Sequence, residues 1–123
     1  MLETVIIIAL LSIKHWYADF VMQTYAQTVD KGRWGSWCGI THSLDHMMAT
    51  ALVLLVASVL IPIDPVIAGS VIVIEGILHY HIDWVKVRWG SKDMTKPVYW
   101  NHFGLDQLAH QITYIAMAAV LVL

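Results

Sequence analysis

Eight ionisable residues of this chain fall into four pairs, each spaced four apart: His15 and Asp19, His42 and His46, His79 and Asp83, and Asp106 and His110. Residues four apart on an α-helix share a face, so each pair makes a two-toothed polar comb. Imidazole nitrogens and carboxylate oxygens are the usual donors for zinc, iron and manganese, and His-x-x-x-His on one helix is a two-point platform for such an ion. Five His and three Asp are more ligands than one tetrahedral ion takes up. Two divalent cations carry +4, which Asp19, Asp83 and Asp106 with one bridging hydroxide would neutralise, and such a centre brings a nucleophile with it. One or two divalent ions are expected, zinc foremost, with iron or manganese as alternatives.

Neighbouring residues extend the combs. Gln23 lies four after Asp19, Gln107 follows Asp106, and Lys86 closes the third segment; these suit contacts that orient the ligands. Cys38 and His102 also lie at spacings of four, and are expected at the periphery, as is His81, which points away from His79. Asp45 stands in His42-Ser43-Leu44-Asp45-His46, an order similar to the H-x-x-E-H of some zinc proteases in which the acid is the base. A carboxylate there also suits the start of a helix. Glu75, four before His79, has two readings open to it: a general base, or an ion-pair partner of Lys14 at similar depth.

These side chains must be carried by apolar segments. The chain has 123 residues, 59% hydrophobic and 13% charged, with mean hydropathy +0.66. A soluble domain has roughly twice that charge. Four stretches, about 2–26, 40–61, 65–87 and 101–123, are each long enough to cross a hydrocarbon core of roughly 30 Å. The expected architecture is all-α: one domain over 1–123, an integral-membrane four-helix bundle of up-down topology. No basic segment precedes Val5–Ile13 and no small-residue cleavage site follows it, so the first span is expected to be retained.

Pro62-Ile63-Asp64-Pro65 makes a tight hairpin, whereas the other two connections are longer and basic. Lys31, Arg33, Lys86, Arg88, Lys92 and Lys96 all fall on the long-loop side. The positive-inside rule then places the long loops in the cytoplasm and both termini outside the inner membrane. Trp34, Trp37, Trp84, Trp89 and Trp100 gather at that same interface. With this topology all four pairs reach one level, about 7 to 14 Å deep at 1.5 Å per residue. Unpaired carboxylates are costly there, about 2.5 to 3.5 kcal/mol each at a span centre.

The string His15-x-x-x-Asp19-Phe20-x-x-Gln23, the pair His42 and His46, His79-x-x-x-Asp83-x-x-Lys86, and Asp106-Gln107-x-x-His110 together resemble a small bacterial and phage membrane family. It is the one catalogued as domain of unknown function 3307, and Lys31 is similar to a basic position of that family. The resemblance runs through all four spans. It implies a membrane bundle with a polar His/Asp centre and often a phage or prophage origin, and it supplies no reaction. Lys14 and Glu75 depart from the family's pattern.

The outer halves of the spans hold only Ser12, Ser58 and Ser70 as polar side chains, so the polar cup is expected to be closed on one side. That disfavours a channel or proton transporter acting as a monomer. A cup open to the cytoplasm or inner leaflet suits a metal-dependent hydrolase acting on a lipid or membrane-embedded substrate, with Asp45 or Glu75 moving the proton. The rivals are di-iron oxidation, a metal-free Asp–His network, and a metal-stapled interaction protein of phage type. Membrane lipid is the expected partner and nucleic acid is not; a homo-oligomer is compatible with the sequence.

Overall fold

The computed structural model describes residues 1–123 and contains helices and no strands. Helix α1 (Leu2–Tyr17) runs directly into a π-helical turn (Ala18–Met22), which is closed by Gln23 N–H donating to the carbonyl of Ala18 at 3.1 Å. After it come α2 (Tyr25–Asp30), α3 (Trp37–Ala57), α4 (Pro65–Trp89) and α5 (Pro97–Leu121). The four long helices pack in a ring: α1 against α3 and α5, and α4 against α3 and α5.

The ends are set by local chemistry. The first apolar stretch, expected to run to Ala26, stops at Met22. Thr24 then starts a new helix by a reciprocal capping box: its hydroxyl accepts from Gln27 N–H, and Gln27 Oε1 accepts from Thr24 N–H at 2.9 Å. The connection expected as a loop from Gln27 to Gly39 is therefore partly helical. Gly35 makes the turn that follows at φ +71°, a conformation open mainly to glycine, and its N–H donates to Tyr80 Oη at 2.7 Å. Ser36 caps α3 through Gly39 N–H, starting it at Trp37 rather than Ile40. Asp64 accepts from Val66 and Ile67 N–H at 2.8 and 3.0 Å, with Pro65 at the first helical position of α4. Pro97 opens α5 in the same way, four residues earlier than expected.

Three helices are long and apolar enough to cross a membrane: Leu2–Met22, Trp37–Ala57 and Pro65–Trp89. Helix α5 is as long as α4, but Asn101, His102, Asp106, Gln107, His110 and Gln111 make its loop-side part polar, and it is not among them.

The packing inverts the usual soluble arrangement. Large apolar side chains such as Leu52, Leu55, Ile77, Leu105 and Ile112 face outward, while His42, His46, Glu75, His79 and His110 are fully buried. At the end away from the long loops the interior is apolar: Ile7, Leu11, Leu54, Ile61, Val71, Met117, Ala118 and Leu121 pack together with Tyr114. Toward the loops it becomes polar. Helices α3 and α4 approach closely there, with Ser43 Oγ donating to the Gly76 carbonyl and Met47 lying where a Cβ on residue 76 would project. At the loop end Trp34, Trp84 and Trp89 form a chain of edge-on contacts, with centroids 4.8 and 4.7 Å apart.

Candidate functional site

Each long helix contributes its comb to one buried cluster at the polar end of the core. Helix α1 and its π-helical turn bring His15 and Asp19, α3 brings His42 and His46, α4 brings His79 and Asp83, and α5 brings Asp106 and His110. Asp19 sits within the widened turn, where local geometry departs from the regular helix.

One group of donors surrounds Asp19. Its Oδ1 lies 3.0 Å from both His42 Nε2 and His46 Nε2 and 3.8 Å from His79 Nε2, and the His42 and His79 Nε2 atoms are 3.3 Å apart. At zinc–nitrogen bonds of about 2.0 to 2.1 Å, two ligands of a tetrahedral ion stand about 3.4 Å from each other. The four separations in this group, 3.0 to 3.8 Å, bracket that value, and all four ligand atoms lie within 4.8 Å of one another. His42 Nε2 also has Gln23 Nε2 at 2.8 Å and Asp83 Oδ2 at 3.2 Å. A ring nitrogen has one donor or acceptor position, so these neighbours cannot all be its hydrogen-bond partners.

A second group adjoins the first. His110 Nε2 lies 3.8 Å from Asp83 Oδ1 and 3.6 Å from Asp106 Oδ1. All three atoms are buried without a hydrogen-bond partner, and these separations are too long for hydrogen bonds. Leaving one such group unsatisfied costs about 1 to 3 kcal/mol. Asp83 joins the groups, with Oδ2 3.2 Å from both His42 and His79 on one side and Oδ1 turned toward His110 on the other. His15 packs against the His110 ring at 4.6 Å between centroids, with its Nε2 3.3 Å from Asp19 Oδ2. His15, His79 and His110 form a further set of mutually close nitrogens.

The surrounding residues hold these side chains in place. Gln107 Nε2 donates to Asp106 Oδ2 at 3.0 Å, and its Oε1 lies 3.3 Å from His15 Nε2. Lys86 Nζ is 3.5 Å from Asp106 Oδ2. Lys31, expected only at the basic rim, reaches inward from the end of α2 and donates to Asp83 Oδ2 at 2.9 Å. Tyr114, absent from the expected set, has its hydroxyl 3.0 Å from His15 Nδ1. It lies four residues after His110, so the same spacing that marked the combs could have found it.

Other candidates lie outside the cluster. Asp45 is half-buried and accepts from Gln27 Nε2 at 2.9 Å. Glu75 is buried in an ion pair with Lys14, which also lies 3.2 Å from His46 Nδ1 and donates to Tyr114 Oη at 3.3 Å. Of the two roles open to Glu75, this geometry matches the ion pair. His81 Nδ1 faces the carbonyl of Ile77, and His102 Nδ1 accepts from Ser91 N–H, so neither enters the cluster. Cys38 is half-buried and is not among the grouped ligand atoms.

The family model described as "Protein of unknown function (DUF3307)" matches residues 6–123. The chain belongs to this family. The match covers all four combs and the residues that hold them. No curated protein and no solved structure matches the chain.

Proposed function

We propose that the chain is an integral-membrane, up-down four-helix bundle forming a single domain, with α5 as its fourth span, and that its His/Asp cluster binds divalent metal. The observation that carries the reading is the set of three buried, unpartnered atoms, Asp83 Oδ1, Asp106 Oδ1 and His110 Nε2, which lie close together at separations suited to a shared ion. The quartet of Asp19, His42, His46 and His79 would hold one ion, and Asp83, Asp106 and His110 a second. Zinc fits the nitrogen-rich quartet; iron and manganese are accepted by the same donors.

The fourth span is supported by the length of α5, 25 residues or about 37 Å at 1.5 Å each, and by its outward Leu105, Leu108, Ile112 and Ile115. The basic residues of the long loops favour a cytoplasmic location for that end, in the inner membrane. The apolar plug behind the cluster disfavours a through-pathway for ions.

The reaction class we assign is hydrolysis of a lipid or other membrane-embedded ester. Water's oxygen joins the electrophilic centre, the ester bond breaks, and the departing alcohol takes the displaced proton. A bound divalent ion supplies Lewis acidity and a more acidic water. The protein's share is to hold the ligands rigidly between four helices. What favours turnover over a structural staple is a neighbouring hollow: Asp106 is among the residues that line a groove between α4 and α5. Di-iron oxidation would use the same hollow and is separated by the metal found.

Metal analysis of detergent-purified protein tests the reading. One or two equivalents of zinc, manganese or iron are expected in the wild type. His46→Ala should lower the content, and so should His110→Ala, while both variants stay helical and monodisperse. Folded wild-type protein that takes up no stoichiometric metal, even when supplied, would overturn the proposal and leave the metal-free Asp–His network. Iron with an optical band would replace hydrolysis by oxidation.

A further inference from the structure

Two hollows meet at the loop end of the helices. One is a largely apolar groove of about 430 Å³ between α4 and α5, lined by Ile82, Val85, Trp89, Leu105 and Ala109, with Asp106 also in the lining. The other, also about 430 Å³, lies between α2 and the α4–α5 connection. Its lining includes Lys31, Lys86 and Lys92 with Gln23, and no acidic residue. Lys86 and Gly90 line both, so the basic cavity and the apolar groove adjoin across them. Each is within the usual size of a small-molecule site.

The two halves differ in chemistry in the way that the ends of a lipid differ. The exposed lining of the groove is mostly apolar, which suits an acyl chain. At its loop end stands Lys86, whose ammonium is 3.5 Å from Asp106 and partly exposed. Lys92, also exposed, has no ion-pair partner, and its charge is free to meet an anion. Lys31 lines the cavity with its ammonium held on Asp83, and the accessible ammonium groups of Lys86 and Lys92, with no carboxylate in the lining, favour an anionic headgroup such as a phosphomonoester over a zwitterionic one.

We infer that the joined hollows are one binding site for a phosphate-bearing lipid, with the phosphate at Lys92 and Lys86 and one acyl chain in the α4–α5 groove. The inference deepens the hydrolase reading by naming its substrate class. It rests on that reading for turnover but not for binding. Asp106 belongs to both the groove and the cluster, so a headgroup held at Lys86 lies beside the candidate metal ligands.

The test uses full-length, metal-free protein in phosphatidylcholine nanodiscs containing a minor fraction of phosphatidic acid with a photoreactive acyl chain. Crosslinks are expected on the α4–α5 groove, and unlabelled phosphatidic acid should compete better than phosphatidylcholine. Lys92→Ala should weaken that competition about five-fold, the equivalent of about 1 kcal/mol per lysine near a membrane surface. Ala109→Trp should fill the groove and remove the crosslink while leaving the protein monodisperse. Labelling spread evenly around the outer helix faces would overturn the inference, as would equal competition by both lipids. Inorganic phosphate that abolishes the headgroup preference at low concentration would also overturn it, since the cavity would then serve a free anion. Selective labelling of a protein that takes up no metal would refute the metal reading alone; metal uptake without selective labelling would refute the lipid site alone.

Discussion

Removing either partner of the Lys14–Glu75 pair should expose the cost of charge inside this core. The side chains are 4% and 1% exposed, and Glu75 depends on Lys14 entirely: its second oxygen, Oε2, is buried with no partner. Lys14, by contrast, has Tyr114 Oη at 3.3 Å and His46 Nδ1 at 3.2 Å as further neighbours. Deleting one member of a buried pair costs about 3 to 5 kcal/mol, whereas replacing both by apolar residues of similar volume is often neutral or stabilising. Lys14→Met should therefore cost about 4 kcal/mol, or roughly three powers of ten in the folding equilibrium. Glu75→Leu should cost less, since Lys14 keeps two neighbours. The double variant should return to within about 1 kcal/mol of wild type, a coupling far above the few tenths expected of independent sites. Reversible unfolding in mixed micelles, followed by helical circular dichroism, measures all three. Single variants that each cost under about 1 kcal/mol, with an additive double variant, would refute the assignment of a charged pair. Metal content measured on the same samples bears on Glu75's role: a stable double variant that keeps its metal and its turnover shows that no base is needed at this position.

Two further outcomes follow from the ends of the helices. The chain's single cysteine, Cys38, lies in the first turn of α3 at the basic end. A membrane-impermeant maleimide should label it in inverted vesicles and not in intact spheroplasts, and the reverse result would invert the proposed topology. In the α4–α5 connection, Asp93 Oδ1 accepts from the Thr95 hydroxyl at 2.6 Å and the Thr95 N–H at 3.1 Å, and these bonds hold its carboxyl below the ordinary carboxylate value. A lowered folded-state value means that the turn's stabilisation is full above about pH 4 and is lost only as pH falls through the lowered value. Thr95→Ala should raise the Asp93 titration midpoint seen by NMR, and an unchanged midpoint would contradict the assignment.

The four combs were readable because side-chain direction in a helix repeats every 3.6 residues, so a spacing of four fixes a shared face before any packing is known. The same rule applied further would have included Thr50 after His46 and Tyr114 after His110, both of which are buried in the core. Thr24-Tyr25-Ala26-Gln27 was likewise a legible helix start, masked by the continuous apolar run that precedes it. Spacing could not place Lys31. Its reach to Asp83 depends on α2 folding back against α3, a tertiary choice that no local pattern records. The π-helical turn at Ala18–Met22 was equally hidden, since nothing in residues 18–22 departs from ordinary helical composition. Helix α5 falls outside the three apolar spans because the side chains that suit it to the polar cluster also lower its hydropathy.

Charge balance then connects metal number to the lysines. Asp19, Asp83 and Asp106 carry three negative charges, and Lys31 and Lys86 return two of them from the loop side. Without metal, one protonated histidine makes the cluster neutral. One divalent ion with both lysines in place gives a net +1, which a single bound hydroxide neutralises. Two ions leave +3 under the same conditions, a cost that rises steeply in a low-dielectric interior. A two-ion centre therefore requires Lys31 and Lys86 to withdraw from their carboxylates, and the basic cavity that both already line gives them somewhere to go. Metal loading and anion binding would then be coupled in the same direction, because uptake of the second ion frees the lysines for the headgroup, and linkage makes the effect reciprocal. A one-ion protein lacks that coupling, since its lysines stay on Asp83 and Asp106. The measured stoichiometry therefore reports both the ligand set and whether the two hollows and the cluster act as one site.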